Sequence, residues 1–134
     1  MLYGGRWNSP GKRVIYAAET YAAALLEVLV HRNGAEPPKH HRLVRILIPD
    51  GVSVETVHAQ DVPGWNRADC RTARRFGDEW FASARSLLLR VPSVVTDGRE
   101  FNLIIHAEHP EFRRLKPQRP ENIRWDGRLF GRDK

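Results

Sequence analysis

The sequence predicts an α+β domain. Several segments have strand-like composition or alternation, two have helical composition bounded by caps and breakers, and the two kinds do not alternate strictly along the chain. A chain of 134 residues suits one domain around one core, and no repeat, low-complexity stretch or linker divides it.

Gly4 and Gly5 let backbone or ligand approach closely, and Asn8-Ser9-Pro10-Gly11 is a strong turn signal. Val14 to Ala17 reads as a short strand. Thr20 is the expected N-cap of a helix from about Tyr21 to His31, which Gly34 and Pro37-Pro38 end. His41 to Pro49 sets Leu43, Ile46 and Ile48 among Arg42 and Arg45 and is expected to be a strand. Gly51 turns the chain into another, Val52 to Val57, and Asp61 to Trp65 is loop. Asn66 or Asp69 is expected to cap a helix from about Cys70 to Ala84. That helix buries Phe76, Trp80 and Phe81 and shows Arg71, Arg74, Arg75 and Asp78 to solvent, with Gly77 as a local weak point. Leu87 to Pro92 reads as a buried strand continued by Ser93 to Val95. A turn at Asp97-Gly98 precedes the apolar segment Phe101 to Ile105. His109-Pro110 is loop, and Phe112 to Phe130 has room for one or two edge strands.

With 41% hydrophobic and 28% charged residues the chain has the composition of an ordinary folded domain. It has no run of about 18 apolar residues, and Met1 to Gly5 lacks a signal-peptide pattern, so a cytoplasmic protein is expected. Cys70, the single cysteine, can form neither an internal disulfide nor a thiolate metal cluster. The net charge of +6 attracts polyanions: nucleic acid, an acidic partner or a phosphate-bearing small molecule. From Arg113 to Lys134 eight Lys or Arg stand against three acids, Glu121, Asp126 and Asp133. This tail reads either as a solvated basic face or as a binding surface.

Several residues are candidates for chemistry. Glu27 sits in an apolar run, Leu25-Leu26-Glu27-Val28-Leu29. It belongs either to a solvent stripe with Thr20 and His31 or to the wall of a cleft made approachable by Ala23 and Ala24. Arg6 beside Trp7 offers a bidentate phosphate donor next to a stacking surface. Tyr16 is by default a core aromatic, and Ser93 a strand-end hydroxyl. His106 and His109 lack the i, i+4 spacing of a helical ligand pair and a third ligand, so no metal is expected. There is no G-x-S-x-G elbow, P-loop or G-x-G-x-x-G.

Taken in order, Gly4-Gly5-Arg6-Trp7-Asn8, Val14-Ile15-Tyr16, Leu25-Leu26-Glu27-Val28, Arg90-Val91-Pro92-Ser93, Asn102 and His109-Pro110 resemble the RES-domain family, the toxin half of RES–Xre toxin–antitoxin pairs. A weaker echo lies in Trp125 to Leu129. The arginine, glutamate and serine that name the family fall on Arg6, Glu27 and Ser93. The resemblance implies an α+β fold similar to ADP-ribosyltransferases, with NAD as substrate and no separate cofactor. It also implies a helix-turn-helix antitoxin of Xre type as partner, and a homodimer within that complex. On this resemblance Glu27 would stabilise the reacting ribose and Arg6 would hold the pyrophosphate. Tyr16 would stack on nicotinamide, with Trp7 or Tyr21 as the other side of an aromatic clamp. Ser93 and Asn102 would supply hydrogen bonds. Family members usually carry a strand before the Gly-Gly-Arg-Trp motif, where this chain has three residues, so that strand is expected to be missing. Where the family tends to show Asn-Pro-x-His-Pro, the chain reads His106-Ala107-Glu108-His109-Pro110.

The chemistry fits independently. Cleavage at the glycosidic bond of NAD turns a cationic pyridinium into neutral nicotinamide, so the leaving group needs no general acid. The usual pair of carboxylates then reduces to one. Transfer of the ADP-ribosyl group to water, to phosphate or to a protein side chain all remain open. Two other classes compete: a basic nucleic-acid-binding module, for which no helix-turn-helix or RNA-recognition signature is present, and an inactive scaffold that only engages an antitoxin.

Overall fold

The structure is a computed structural model that describes residues 4–32 and 35–132; Gly34, expected to end the first helix, and the last two residues of the basic tail lie outside the described residues. Strand β1 (Val14–Ala18) leads into helix α1 (Tyr21–His31). Two dipeptide strands follow, β2 (Arg42–Leu43) and β3 (Ile46–Leu47), then β4 (Val54–Thr56), helix α2 (Arg71–Ser83), β5 (Leu88–Pro92) and β6 (Phe101–His106). The tail adds β7 (Lys116–Pro117) and β8 (Glu121–Asn122). The main sheet runs β1-β6-β5-β4, antiparallel except for the parallel β4–β5 pair. The α+β expectation holds. Among the described residues no helix is long and apolar enough to cross a membrane.

The pleat explains why β5 and β6 are buried along almost their whole length. Successive side chains point to opposite faces, and this sheet has a hydrophobic cluster on each. On one face Val14, Leu89, Val91 and Ile104 join Trp7, Val57, Val62 and Trp65 beneath Ala73 and Trp80 of α2. On the other, Leu88 and Ile105 meet Leu87 and Leu115, with Ile46, Val52 and Phe112 packed alongside. Helix α2 covers the first cluster because its apolar positions recur at helical spacing: Ala73, Gly77 and Trp80 are buried.

Helix α1 behaves differently. Thr20 Oγ1 accepts from the Ala23 amide at 3.1 Å, the expected N-cap, and the helix ends where expected. It is strongly apolar in sequence, yet none of its eleven residues is buried. Leu26 and Val30 are 41% and 55% exposed. It lies along β1 as a thin layer, not as a core element.

The remaining elements depart from expectation in detail. The continuous strand expected over His41 to Pro49 is two dipeptides, because each pairs with a different tail segment: Arg42–Leu43 with Glu121–Asn122, and Ile46–Leu47 with Lys116–Pro117. Prolines at 117 and 120 lack the amide hydrogen a longer ladder would require. Ser93 to Val95 does not continue β5. The Gly98 amide donates to Ser93 O at 2.8 Å and closes a tight turn with Asp97 at φ 56° and Gly98 at φ 76°. Neither Asn66 nor Asp69 is the N-cap of α2. Cys70 occupies it at φ 60°, with Asp69 Oδ1 accepting from the Arg71 amide. His109-Pro110, expected as loop, opens a short 3₁₀ helix over Pro110–Arg114, in which His109 Nδ1 accepts from the Glu111 amide.

Candidate active site

Two clusters of polar contacts contain the residues singled out in the sequence. The first is built around Glu27. Its Oε2 accepts from Ser93 Oγ at 3.3 Å and from Asn102 Nδ2 at 3.0 Å. Pairing of β5 with β6 makes this convergence possible: Pro92 lies opposite Phe101 and Val91 opposite Asn102, so Ser93 and Asn102 emerge at the same end of two central strands. Ser93 is 4% exposed, whereas the Glu27 side chain keeps 30% of its surface in solvent. Its other oxygen, Oε1, stands 3.9 Å from Nε2 of His31, one helical turn later. Glu27 is thus tied to the strands through Oε2 while part of its side chain stays in solvent. His31 keeps the solvent-stripe position, with its side chain 78% exposed.

The start of α1 is fastened to the same strands. Glu19, one residue before the N-cap, accepts from Arg90 Nε at 2.6 Å and from Nη2 at 3.2 Å. The Arg90 guanidinium lies 4.2 Å above the centre of the Phe101 ring. Bidentate pairing of this kind fixes direction as well as distance. It orients the helix that carries Glu27 against β5 and β6.

The second cluster is the Gly4–Ser9 loop. Asn8, 1% exposed, is its hub: Oδ1 accepts from the Gly5 amide at 3.1 Å and from the Tyr16 hydroxyl at 2.6 Å. The Tyr16 oxygen in turn accepts from the Trp7 amide at 3.1 Å. Helix α2 grips the loop from behind. Arg74 Nε donates to Gly5 O at 3.0 Å, and Asp78 accepts from the Ser9 amide at 2.9 Å and from its hydroxyl. Arg74 and Asp78, expected on the solvent face of α2, are therefore turned inward to the loop. Sequence reasoning missed them, and it placed Asn8 in the Gly4 to Asn8 motif without giving it a role; an amide next to a glycine pair and a turn was the available signal.

Trp7 is placed differently from the stacking surface expected of it, and Arg6 is engaged through one of its nitrogens. Arg6 Nη1 donates to the carbonyls of Trp65 at 3.2 Å and Arg67 at 2.8 Å, so part of the guanidinium holds a loop. Trp7 is 2% exposed and meets Phe76 edge-on inside the core, which leaves it no face for a ligand. The expected clamp partner Tyr21 is 46% exposed at the start of α1. The two clusters are joined through Trp65: the Ser93–Gly98 turn rests on its ring, where a Cβ at Gly98 would come within 3.2 Å. Beside Arg67 opens a hollow of about 440 Å³ lined by Arg67, Arg71, Arg75, Thr72 and Gly64 among others.

Burial pushes the Tyr16 phenol up to about 12, against smaller opposing effects of the Trp7 amide bond and of Arg74 and Arg6. The sign follows: an unfolded tyrosine ionises near 10, so the neutral hydroxyl contributes its full stability below pH 10 and loses it as pH rises toward 12. Tyr16→Phe is expected to lower stability at neutral pH by about 1–3 kcal/mol, because the Trp7 amide is left unpaired. Urea melts at pH 7 and at pH 11 check this. The gap between wild type and variant should narrow at the higher pH.

His106 and His109 act structurally. His106 is 3% exposed, stacks on Phe81 at 4.0 Å, bonds Phe81 O through Nε2 at 2.9 Å and accepts from the Glu108 amide through Nδ1 at 3.1 Å.

Comparison with known proteins adds the following. The family profile described as RES domain matches residues 1–126. The chain is 38% identical over 133 residues to a protein of a Sphingobium species named Prs ADP-ribosylating toxin, covering 96% of this chain and 82% of that one. It is 37% identical over 128 residues to Toxin Res of Pseudomonas putida, covering 94% and 86%. It is 35% identical over 130 residues to Toxin Res of Yersinia enterocolitica, covering 95% and 84%.

Proposed function

We propose, for a chain that belongs to the RES-domain family, an enzyme that breaks the nicotinamide–ribose bond of NAD and serves as the toxin of a toxin–antitoxin pair. The observation that carries the reading is the carboxylate of Glu27, held through Oε2 by Ser93 and Asn102 while, among the described residues, Oε1 has only His31 nearby, at 3.9 Å.

A carboxylate fixed in this way is preorganised for a reaction that develops positive charge on a sugar carbon. As the glycosidic bond lengthens, its electron pair moves into the pyridinium ring, and the ribose approaches an oxocarbenium ion. Glu27 stabilises that charge through Oε1 and orients the attacking group. Ser93 and Asn102 keep the carboxylate from rotating, so no reorganisation is needed during the reaction. Arg6 has Nε and Nη2 left for the pyrophosphate, and Arg67, Arg71 and Arg75 around the hollow beside it outnumber Asp69 and add positive potential. Tyr16 offers its ring to nicotinamide while its hydroxyl props the Gly5–Asn8 loop. The antitoxin is a helix-turn-helix protein that covers this cleft, and a dimer of the chain forms within their complex.

The acceptor is water or phosphate in the leading reading, which makes the protein an NAD glycohydrolase or phosphorylase. Transfer to a protein is the second, favoured by the name of the Sphingobium relative, an ADP-ribosylating toxin. Incubation of the purified chain with NAD, with and without phosphate and with a cell extract, distinguishes them. Free ADP-ribose, its 1-phosphate or labelled protein should accompany nicotinamide. No nicotinamide under any of the three conditions would overturn the enzyme reading.

A further inference from the structure

We infer that His31 is the proton exit for Glu27: a positioning and relay residue through which the carboxylate is reset after water attacks the ribose. The inference rests on the NAD-cleaving reading of the site. Glu27 Oε2 already accepts two hydrogen bonds, so Oε1 is the oxygen with capacity for a proton. His31 Nε2 stands 3.9 Å from Oε1 on the same helix face, and its ring is 78% exposed. The gap is one that a bridging water or a side-chain rotation closes. On its far side the imidazole reaches bulk solvent, and imidazole is the side chain suited to shuttle protons near neutral pH.

The chemistry requires such an exit only for some acceptors. When water is the acceptor, the C1′–N bond breaks and its electron pair leaves with neutral nicotinamide. The water oxygen bonds C1′, and one water proton must depart. Oε1 takes it, passes it to His31 Nε2, and the imidazole releases a proton to solvent before the next turnover. When phosphate dianion is the acceptor, the attacking oxygen carries no proton and nothing needs to be removed. The relay should therefore matter for hydrolysis and not for phosphorolysis.

The test is nicotinamide release by wild type and His31→Ala in phosphate-free buffer, with phosphate and with imidazole. His31→Ala should lose about ten-fold to a hundred-fold in kcat for the water reaction with KM for NAD held, and added imidazole should restore much of it. Any phosphate-dependent rate should be unaffected, and thermal unfolding should be unchanged because the side chain is largely in solvent. An unaltered water rate, a loss without imidazole rescue, or an equal loss in the phosphate-dependent rate overturns the relay. An inactive wild type overturns the NAD reading beneath it.

Discussion

Replacing Glu27 by glutamine is expected to lower the rate of nicotinamide release by about 10²–10³ while leaving the chain folded. The amide has the same shape and sits on a helix where no residue is buried, so the change in stability should stay within about 1 kcal/mol. What is lost is the negative charge facing the ribose carbon, while the amide oxygen still accepts from Ser93 and Asn102. The amide nitrogen then stands in the place of Oε1 and presents a neutral donor where the charge was. Steady-state kinetics should show the loss in kcat more than in KM, since the charge acts on the transition state and not on the bound dinucleotide. A glutamine variant as active as wild type would remove Glu27 from the reaction.

The second large effect concerns the scaffold. Gly77→Ala should prevent folding or lower the melting temperature by more than about 10 °C. A Cβ at Gly77 would lie 1.6 Å from the carbonyl oxygen of Trp7 and 2.7 Å from its carbonyl carbon. Ordinary overpacking costs about 1–3 kcal/mol because side chains move aside. Here the obstacle is backbone, and the loop it belongs to is tied by Arg74 and Asp78 on either side of Gly77. A loss above 3 kcal/mol is a large share of the roughly 5–15 kcal/mol that holds a domain together. Gly127→Ala is the control: its nearest neighbour is 3.5 Å away, and its melting temperature should match wild type. Circular dichroism melts of both decide the matter.

Gly77 also shows where sequence reasoning reaches its limit. By propensity it is a flaw in α2, and its use becomes visible only when residues 69 apart in Ser9–Asp78 and Gly5–Arg74 are brought together. Arg74 and Asp78 read as solvent charges for the same reason, since helical periodicity cannot tell a polar face that meets water from one that meets a loop. Local signals were reliable where the chemistry is local. Thr20 caps α1, and the Asp97-Gly98 turn has the positive φ that dipeptide favours. The dipeptide strands of the tail have no periodicity to detect. Glu27, Ser93 and Asn102 lie 66 and 75 residues apart as hydrogen-bonded pairs, and only the order of motifs linked them in the sequence. Trp7 was misplaced because an arginine–tryptophan pair in a glycine turn looks the same whether the indole faces a ligand or the core.

The thinness of α1 has a consequence for motion. Native proteins open locally where few apolar groups are buried, at a free energy below that of global unfolding. The Glu27 carboxylate therefore rides on a helix with little buried surface, restrained by the Thr20 cap, the Glu19–Arg90 pair and the bonds from Ser93 and Asn102. Those last two bonds then do more than aim a charge. They also fasten a thin helix to the sheet, and a partner seated on α1 would favour that arrangement by removing open states from the ensemble.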